Sequence, residues 1–203
     1  MSIPGLEDLD YLEVSSGGSD IKWVDFDQRK HYTNAFIITN GKTPNALSGS
    51  VTFLDFVGLQ EERLWYNGFG GKVDAGETPI QAAKRELMEE SGIEAPLEHA
   101  GTLLFLIAGV QWAFHIDIYR AESFSGNPVE TEEIRPQWFS TGDSNSTGTE
   151  PPIPYDKLWE SDYLWFPLLL EKQKFIVRTD YVRDGDRDLL QKWCVKKKSS
   201  NAS

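Results

Sequence analysis

Cysteine is almost missing: Cys194 stands alone among 203 residues. No disulfide can close within the chain, and a reducing compartment suits such a composition. Basic side chains are few beside acidic ones, 20 against 32, for a formal net charge of −12. Affinity for nucleic acid polymers comes largely from Lys and Arg on phosphates, so this balance argues against that partner class. It leaves room for a small phosphorylated substrate, because a metal ion masks charge locally. No apolar run approaches the roughly 18 residues of a membrane span. The first residues, MSIPGLEDLDYLEVSS, lack a basic n-region and an apolar h-region. Neither a secretory signal nor an Arg-rich transit peptide is expected there. The expected location is cytoplasmic. The basic residues of CVKKKSSNAS at the end read first as a frayed tail and second as a weak nuclear address.

What is present is a real core. Apolar residues make up 39% and aromatics 12%, which argues against global disorder and suits one domain with extensions. Residues 1–21, acidic and then Gly/Ser-rich, are expected to be a flexible extension, 22–190 the folded domain, and 191–203 a tail. IKWVDF (21–26), NAFIIT (34–39), SVTFLDFV (50–57), GTLLFLIA (101–108) and WAFHIDIY (112–119) read as strands. NGKTPNALSG (40–49) and STGDSNSTGTEPP (140–152) read as a connecting loop and a surface insertion. FPLLLEKQKF (166–175) reads as a helix with Pro167 in its first turn, and a hairpin, FIVRTDYV to DLLQKWCV, closes the chain. The class is mixed α and β.

The strongest local signal is a helix over 79–91. Thr78 is a good N-cap, Pro79 takes the first helical position, and Gln81 completes a capping box. Gly92 supplies the stop. On a wheel at about 100° per residue, Ile80, Ala83 and Leu87 form a core stripe. Glu86, Glu89 and Glu90 share a separate arc, with Ala82 leaving room beside them. Three carboxylates there repel one another and sit at the negative end of the helix dipole. Solvent can screen them, or a hard divalent cation can neutralise them together with substrate phosphates. The preceding stretch, WYNGFGGKVDAGE (65–77), favours the cation, because Gly68, Gly70 and Gly71 allow backbone to approach a ligand.

Gly71, KVDAG, Glu77, TPIQAAK and RELMEESGI reproduce the Nudix box at every defined position, including Arg85, Leu87 and Ile93. The chain therefore resembles the Nudix hydrolases. NGFGGKV (67–73), NPVETEEIRPQWF (127–139) and YLWFPLLLEKQKF (163–175) are further similar to an animal branch of that family acting on oxidised purine nucleoside triphosphates. The resemblance implies an α/β/α sandwich around a mixed sheet. It implies Mg²⁺, with Mn²⁺ as a substitute, held by Glu86, Glu89, Glu90 and the Gly70 carbonyl, with Glu133 completing the site or activating water. It implies Arg85 orienting a box glutamate such as Glu77, and Lys72 on phosphate oxygens beside Gly71. Asn67 would hydrogen-bond the purine, Phe69 and Trp159 would pack on it, and Thr33 would line the pocket. The implied reaction splits 8-oxo-dGTP or 2-hydroxy-dATP into monophosphate and pyrophosphate by a monomer, cleansing the nucleotide pool.

One departure concerns the base. Where those relatives carry two aspartates after the tryptophan, this chain reads Trp159, Glu160, Ser161, Asp162, so only Asp162 matches; Glu160 would substitute if the loop shifts by one residue. Ser161 thus favours a competing substrate class within the family, ADP-ribose or a dinucleoside polyphosphate. A module that binds nucleotides without hydrolysis is the third reading, opposed by the intact carboxylates. Among other residues, His31, His99 and His115 are scattered without ligand spacing and read as structural. Asp184, Asp186 and Asp188 open like a calcium loop but lack Gly at the sixth position and Glu at the twelfth, so a solvated hairpin is expected.

Overall fold

A computed structural model describes residues 2–18, 20–40, 48–56, 66–130, 134–142, 150–185 and 187–199, with side chains of 40, 48–56 and 134 left aside. The elements are β1 (Tyr11–Gly17), β2 (Gln28–Asn40), β3 (Ser48–Phe56), β4 (Tyr66–Asn67), α1 (Pro79–Ser91), β5 (Ile93–Glu94), β6 (Glu98–Ile107), β7 (Trp112–Ala121), β8 (Ser125–Gly126), β9 (Ile134–Ser140), α2 (Asp162–Leu170), β10 (Phe175–Asp184) and β11 (Arg187–Lys198). A 3₁₀ turn at Tyr155–Lys157 precedes α2. The fold is mixed α/β with a mixed sheet, as the element pattern of the sequence leads one to expect. Neither described helix is long and apolar enough to cross a membrane.

The chain divides into two compact units. One comprises Met1–Tyr32, Ala100–Asp117 and Glu160–Ser203; the other comprises Thr33–His99 and Ile118–Trp159. In the first unit the strand order is β1, β11, β10, β6, then the first parts of β7 and β2. β10 runs antiparallel to β11 and parallel to β6, Phe175 facing Gly101 and Tyr181 facing Ile107. The parallel pairing is possible because the chain between β6 and β10 is long enough to cross over. Leu104, Leu106 and Ala113 form one buried cluster against Leu6, Val24 and Phe26. Trp165 of α2 is buried and stacks on Phe175 at 5.4 Å between centroids.

In the second unit β3 is central. β9 pairs along one edge, from Ser50–Ser140 to Phe56–Ile134. β2 and β4 share the other edge, Ile38 opposite Val51 and Leu54 opposite Asn67. α1 lays Ala83 and Leu87 on Ala35, Ile37, Tyr119 and Ala121, with Phe69 and Ile93 enclosed. The predicted core stripe is thus the buried face, and a Leu87 buried to this degree is worth about 2–3 kcal/mol of transfer free energy.

Four sequence expectations need correction. Residues 1–21 are not simply a loose extension: β1 pairs antiparallel with β11, Tyr11 facing Lys198, and Ile3 is fully buried. The residues after 190 are correspondingly not a tail through Lys198, and Lys196 pairs with Asp8 at 2.5 Å, both buried. IKWVDF is not a strand. Side chains satisfy its backbone instead: Val24 N–H donates to Asp180 Oδ2 at 2.5 Å, and the Val24 carbonyl accepts from Arg178 Nη2 at 2.5 Å. Finally, α2 starts at Asp162 and stops at Leu170, so Pro167 is interior rather than in the first turn. Proline cannot donate to the carbonyl of Tyr163, but Tyr163 is exposed and water can serve it. Lys172 then turns the chain through a positive φ of 59°. The hairpin at Asp184–Arg187 forms as expected, with Asp186 outside the described residues. Residues 41–47, 143–149 and Trp65 also fall outside them.

Candidate active site

The second unit carries the carboxylate helix. Its start is built locally: the Thr78 N–H donates to Gln81 Oε1 at 2.9 Å, and the Thr78 hydroxyl donates to the same oxygen at 2.8 Å. Its end is Gly92, in the left-handed region at φ 70°, with its N–H on the Met88 carbonyl at 2.8 Å. Between these ends Glu86 and Glu90 are partly buried and Glu89 is exposed.

The glycine turn packs directly on this helix. The Gly70 N–H donates to Glu90 Oε2 at 2.8 Å. A Cβ on Gly71 would collide with the Glu86 carboxylate, and one on Gly70 would collide with the Thr33 carbonyl. Gly70 therefore requires glycine, since it meets backbone at a positive φ, whereas a side chain at Gly71 would displace the Glu86 carboxylate from its place on Arg85. The turn is held from behind by β2, with Thr33 N–H on the Gly71 carbonyl at 2.9 Å and a bridge between Ala35 and Phe69.

Arg85 gathers the other acids. Its Nε and Nη2 fork the two oxygens of Glu77, each at 3.0 Å. Its Nη1 reaches Glu86 Oε1 at 2.9 Å and Glu89 Oε2 at 3.1 Å. The guanidinium holds the Glu77 carboxyl below the usual carboxylate range. Glu90 lies outside that grip. Burial pushes it up to about 8, the Gly70 N–H partly opposes this, and the charges of Glu86 and Glu89 add to it. A carboxylate desolvated beside two like charges, facing a backbone turn, is a donor set that suits a hard divalent cation. Glu133, the expected partner from a distant loop, lies outside the described residues.

The candidate base-contacting residues divide. Asn67 Oδ1 accepts from Asn34 Nδ2 and from the Gly68 N–H, both at 2.9 Å. This fixes the amide and leaves its NH₂ as the group to present. Asn34 is the residue that sequence reasoning missed; nothing in a strand pattern marks it, and only the Ala35–Phe69 bridge brings it to Asn67. Thr33 is buried, and its hydroxyl finds no hydrogen-bond partner among the described residues. Lys72 and Trp159 are exposed, Trp159 by 43%. Phe69 must be corrected. It is enclosed in the core with Ala35, Ala83 and Leu87, and offers no ring face to a base.

Glu160, Ser161 and Asp162 belong to the first unit, at the start of α2. Ser161 and Asp162 are buried, and Asp162 Oδ1 accepts from Trp165 Nε1 at 3.1 Å. The Glu160 carboxylate takes the Leu190 N–H at 3.1 Å, so it is committed to β11 rather than shifted into the neighbouring aspartate position.

Comparison with known proteins bears on the same residues. An oxidized purine nucleoside triphosphate hydrolase from Danio rerio is 43% identical over 112 residues, covering 55% of this chain and 66% of that protein. The Mus musculus protein of the same description is 44% identical over 111 residues, covering 54% of this chain and 65% of its own. The chain thus spans just under two thirds of the length of these relatives. The crystal structure of a MutT protein from Bacillus halodurans aligns with a TM-score of 0.59 at 18% identity, over 82% of this chain and 97% of that one, a likeness of fold. The NUDIX domain model matches residues 52–155, about half of the sequence. That span holds the glycine turn, Glu77, Arg85 and the glutamate ridge, and by it the chain belongs to the NUDIX domain family.

Proposed function

We propose that this protein hydrolyses oxidised purine nucleoside triphosphates, such as 8-oxo-dGTP and 2-hydroxy-dATP, to the monophosphate and pyrophosphate, with Mg²⁺ as the cation. The observation that carries the reading is the seating of the Gly70–Gly71 turn against Glu86 and Glu90. Relatives described as oxidized purine nucleoside triphosphate hydrolases support the substrate class.

Within the second unit each residue then has a task. Glu86, Glu89, Glu90 and the Gly70 carbonyl hold the cation, and Glu133 joins them. When bound, the ion offsets triphosphate charge and makes water easier to deprotonate. Arg85 keeps the ridge in place from its fork on Glu77, leaving Glu90 to bind or take a proton. Lys72 meets phosphate oxygens. Asn67 donates its NH₂ to an acceptor on the purine edge, and Trp159 packs on its face. The lone, buried Cys194 supports a reducing, cytoplasmic setting.

The test is product analysis after incubating purified protein with a nucleotide panel, Mg²⁺ present and absent. Monophosphate and pyrophosphate from the oxidised purines, dependent on Mg²⁺, are expected. Faster turnover of ADP-ribose or a dinucleoside polyphosphate would replace the substrate while keeping the chemistry. Binding without turnover of any panel member would overturn the hydrolase reading.

A further inference from the structure

The first unit contains a second constellation of ligand type, in residues that the sequence pattern presents as scattered. His31 on β2 and His115 on the neighbouring β7 bring their ring centroids to 4.8 Å, tilted by 41°. Asp117 follows His115 by two positions, so both project from the same face of β7. His115 Nε2 lies 3.7 Å from Asp117 Oδ1. Across the trio, one ligand atom from each residue lies within 4.8 Å of the others.

Three further observations set this cluster apart from a chance surface grouping. Asp117 is buried, and its Oδ1 accepts from Thr102 Oγ1 of β6 at 3.2 Å, so the carboxylate is held in place by a neighbouring strand. His115 Nδ1 is buried and lacks a hydrogen-bond partner among the described residues. His115 and Thr102 also line a cavity of about 470 Å³, together with Tyr11, Arg29 and Ile176. The Arg29 head group is turned to the Gly5 carbonyl at 2.7 Å. The arrangement is two imidazoles and one anchored carboxylate, with open space beside them.

We propose that His31, His115 and Asp117 form a binding site for a borderline divalent transition ion of the Zn²⁺ class. Imidazole nitrogen selects Zn²⁺, Co²⁺ or Ni²⁺ over Mg²⁺, which prefers an oxygen shell. Donors at about 2.0–2.2 Å from one tetrahedral ion sit about 3.3–3.6 Å apart. The present spread of up to 4.8 Å must close by about 1.2–1.5 Å, and the exposed His31 side chain is the one that can supply that movement. Three protein ligands leave a fourth position for water on the cavity side. The Thr102 hydroxyl is the outer-sphere group that orients the carboxylate, as second-shell donors do in such centres. None of the box carboxylates takes part, so the inference stands apart from the proposed hydrolase activity.

The experiment uses the full chain without a polyhistidine tag, titrated with Zn²⁺ in excess Mg²⁺, which saturates the hard-oxygen site. One equivalent of Zn²⁺ per chain is expected, raising the midpoint of thermal unfolding. Co²⁺ in its place should give a visible d–d spectrum of a nitrogen-containing, low-coordinate site. H31A changes an exposed residue and should bind Zn²⁺ at least about tenfold more weakly while unfolding at the metal-free temperature of the parent. D117N keeps the shape of the side chain and should show the same loss. H99A, which changes the remaining histidine, should bind as the parent does. Zn²⁺ binding unchanged in H31A and D117N, or no equivalent bound by the parent in excess Mg²⁺, would overturn the assignment.

Discussion

Arg85 and Glu77 lie eight positions apart and meet in a two-pronged ion pair, Nε to Oε1 and Nη2 to Oε2, both at 3.0 Å. The remaining nitrogen reaches Glu86 and Glu89. One planar cation therefore orders a ridge of acids that would otherwise repel. A lysine cannot reproduce this, because an ammonium is a point charge without the fork. Arg85→Lys should lower kcat/KM by about ten- to a hundredfold, with a small change in Tm. Glu77→Gln should cost a similar factor, and the double variant should lose less than the product of the two, since both break one interaction. Independent, multiplicative losses in steady-state kinetics would contradict the pairing as the functional unit.

Glu90 sets the pH behaviour. Its ordinary carboxyl value is 4.5, and in the folded chain burial pushes it up to about 8. Between those values the folded metal-free protein holds a proton that the unfolded chain has lost. Stability of the metal-free protein should therefore fall as pH rises through that window, and level off above it. If Glu90 holds the proposed cation, uptake displaces the same proton. At pH 7, calorimetric titration with Mg²⁺ in buffers of different ionisation enthalpy should show release of close to one proton, declining toward pH 9. Glu90→Gln should abolish both the release and the slope. Proton release undiminished at pH 9, or retained in Glu90→Gln, would remove Glu90 from the cation site.

Arg178 ties the N-terminal segment to the sheet. It is 1% exposed, pairs with Asp180 at 2.9 Å, and donates to the Pro4 carbonyl at 2.8 Å and to that of Val24. Its guanidinium also lies 4.6 Å from the Trp23 ring. Arg178→Met should destabilise the fold by about 3–5 kcal/mol, because Asp180 is left buried and uncompensated. Urea denaturation measures the loss. Hydrogen exchange should show Ile3 and Val24 amides losing protection with it. Protection at those amides equal to the parent would mean that apolar packing, rather than Arg178, holds the segment.

The helix over 79–91 was legible to the residue, because its caps, proline and glycine stop are all local. The strands over 34–39, 50–56, 101–107 and 112–119 were legible for the same reason: alternation or apolar runs bounded by turn residues. What failed was settled at a distance. IKWVDF has strand composition, yet Asp180 and Arg178, more than 150 positions away, take its backbone groups. The acidic start looked disordered because Lys196, which neutralises Asp8, lies 188 positions on. Phe69 sits within a glycine motif and reads as a ligand contact, but the α1 core closes over it.

By itself the sequence determined the box helix, its glycine turn and the shared arc of Glu86, Glu89 and Glu90, since periodicity and capping act within a few residues and need no partner. Tertiary structure alone decided which acid Arg85 leaves ungripped, that Asn34 fixes Asn67, and that His31 meets His115 and Asp117. Those outcomes depend on which strands become neighbours, and strand pairing is set by packing between segments whose separation no local pattern records.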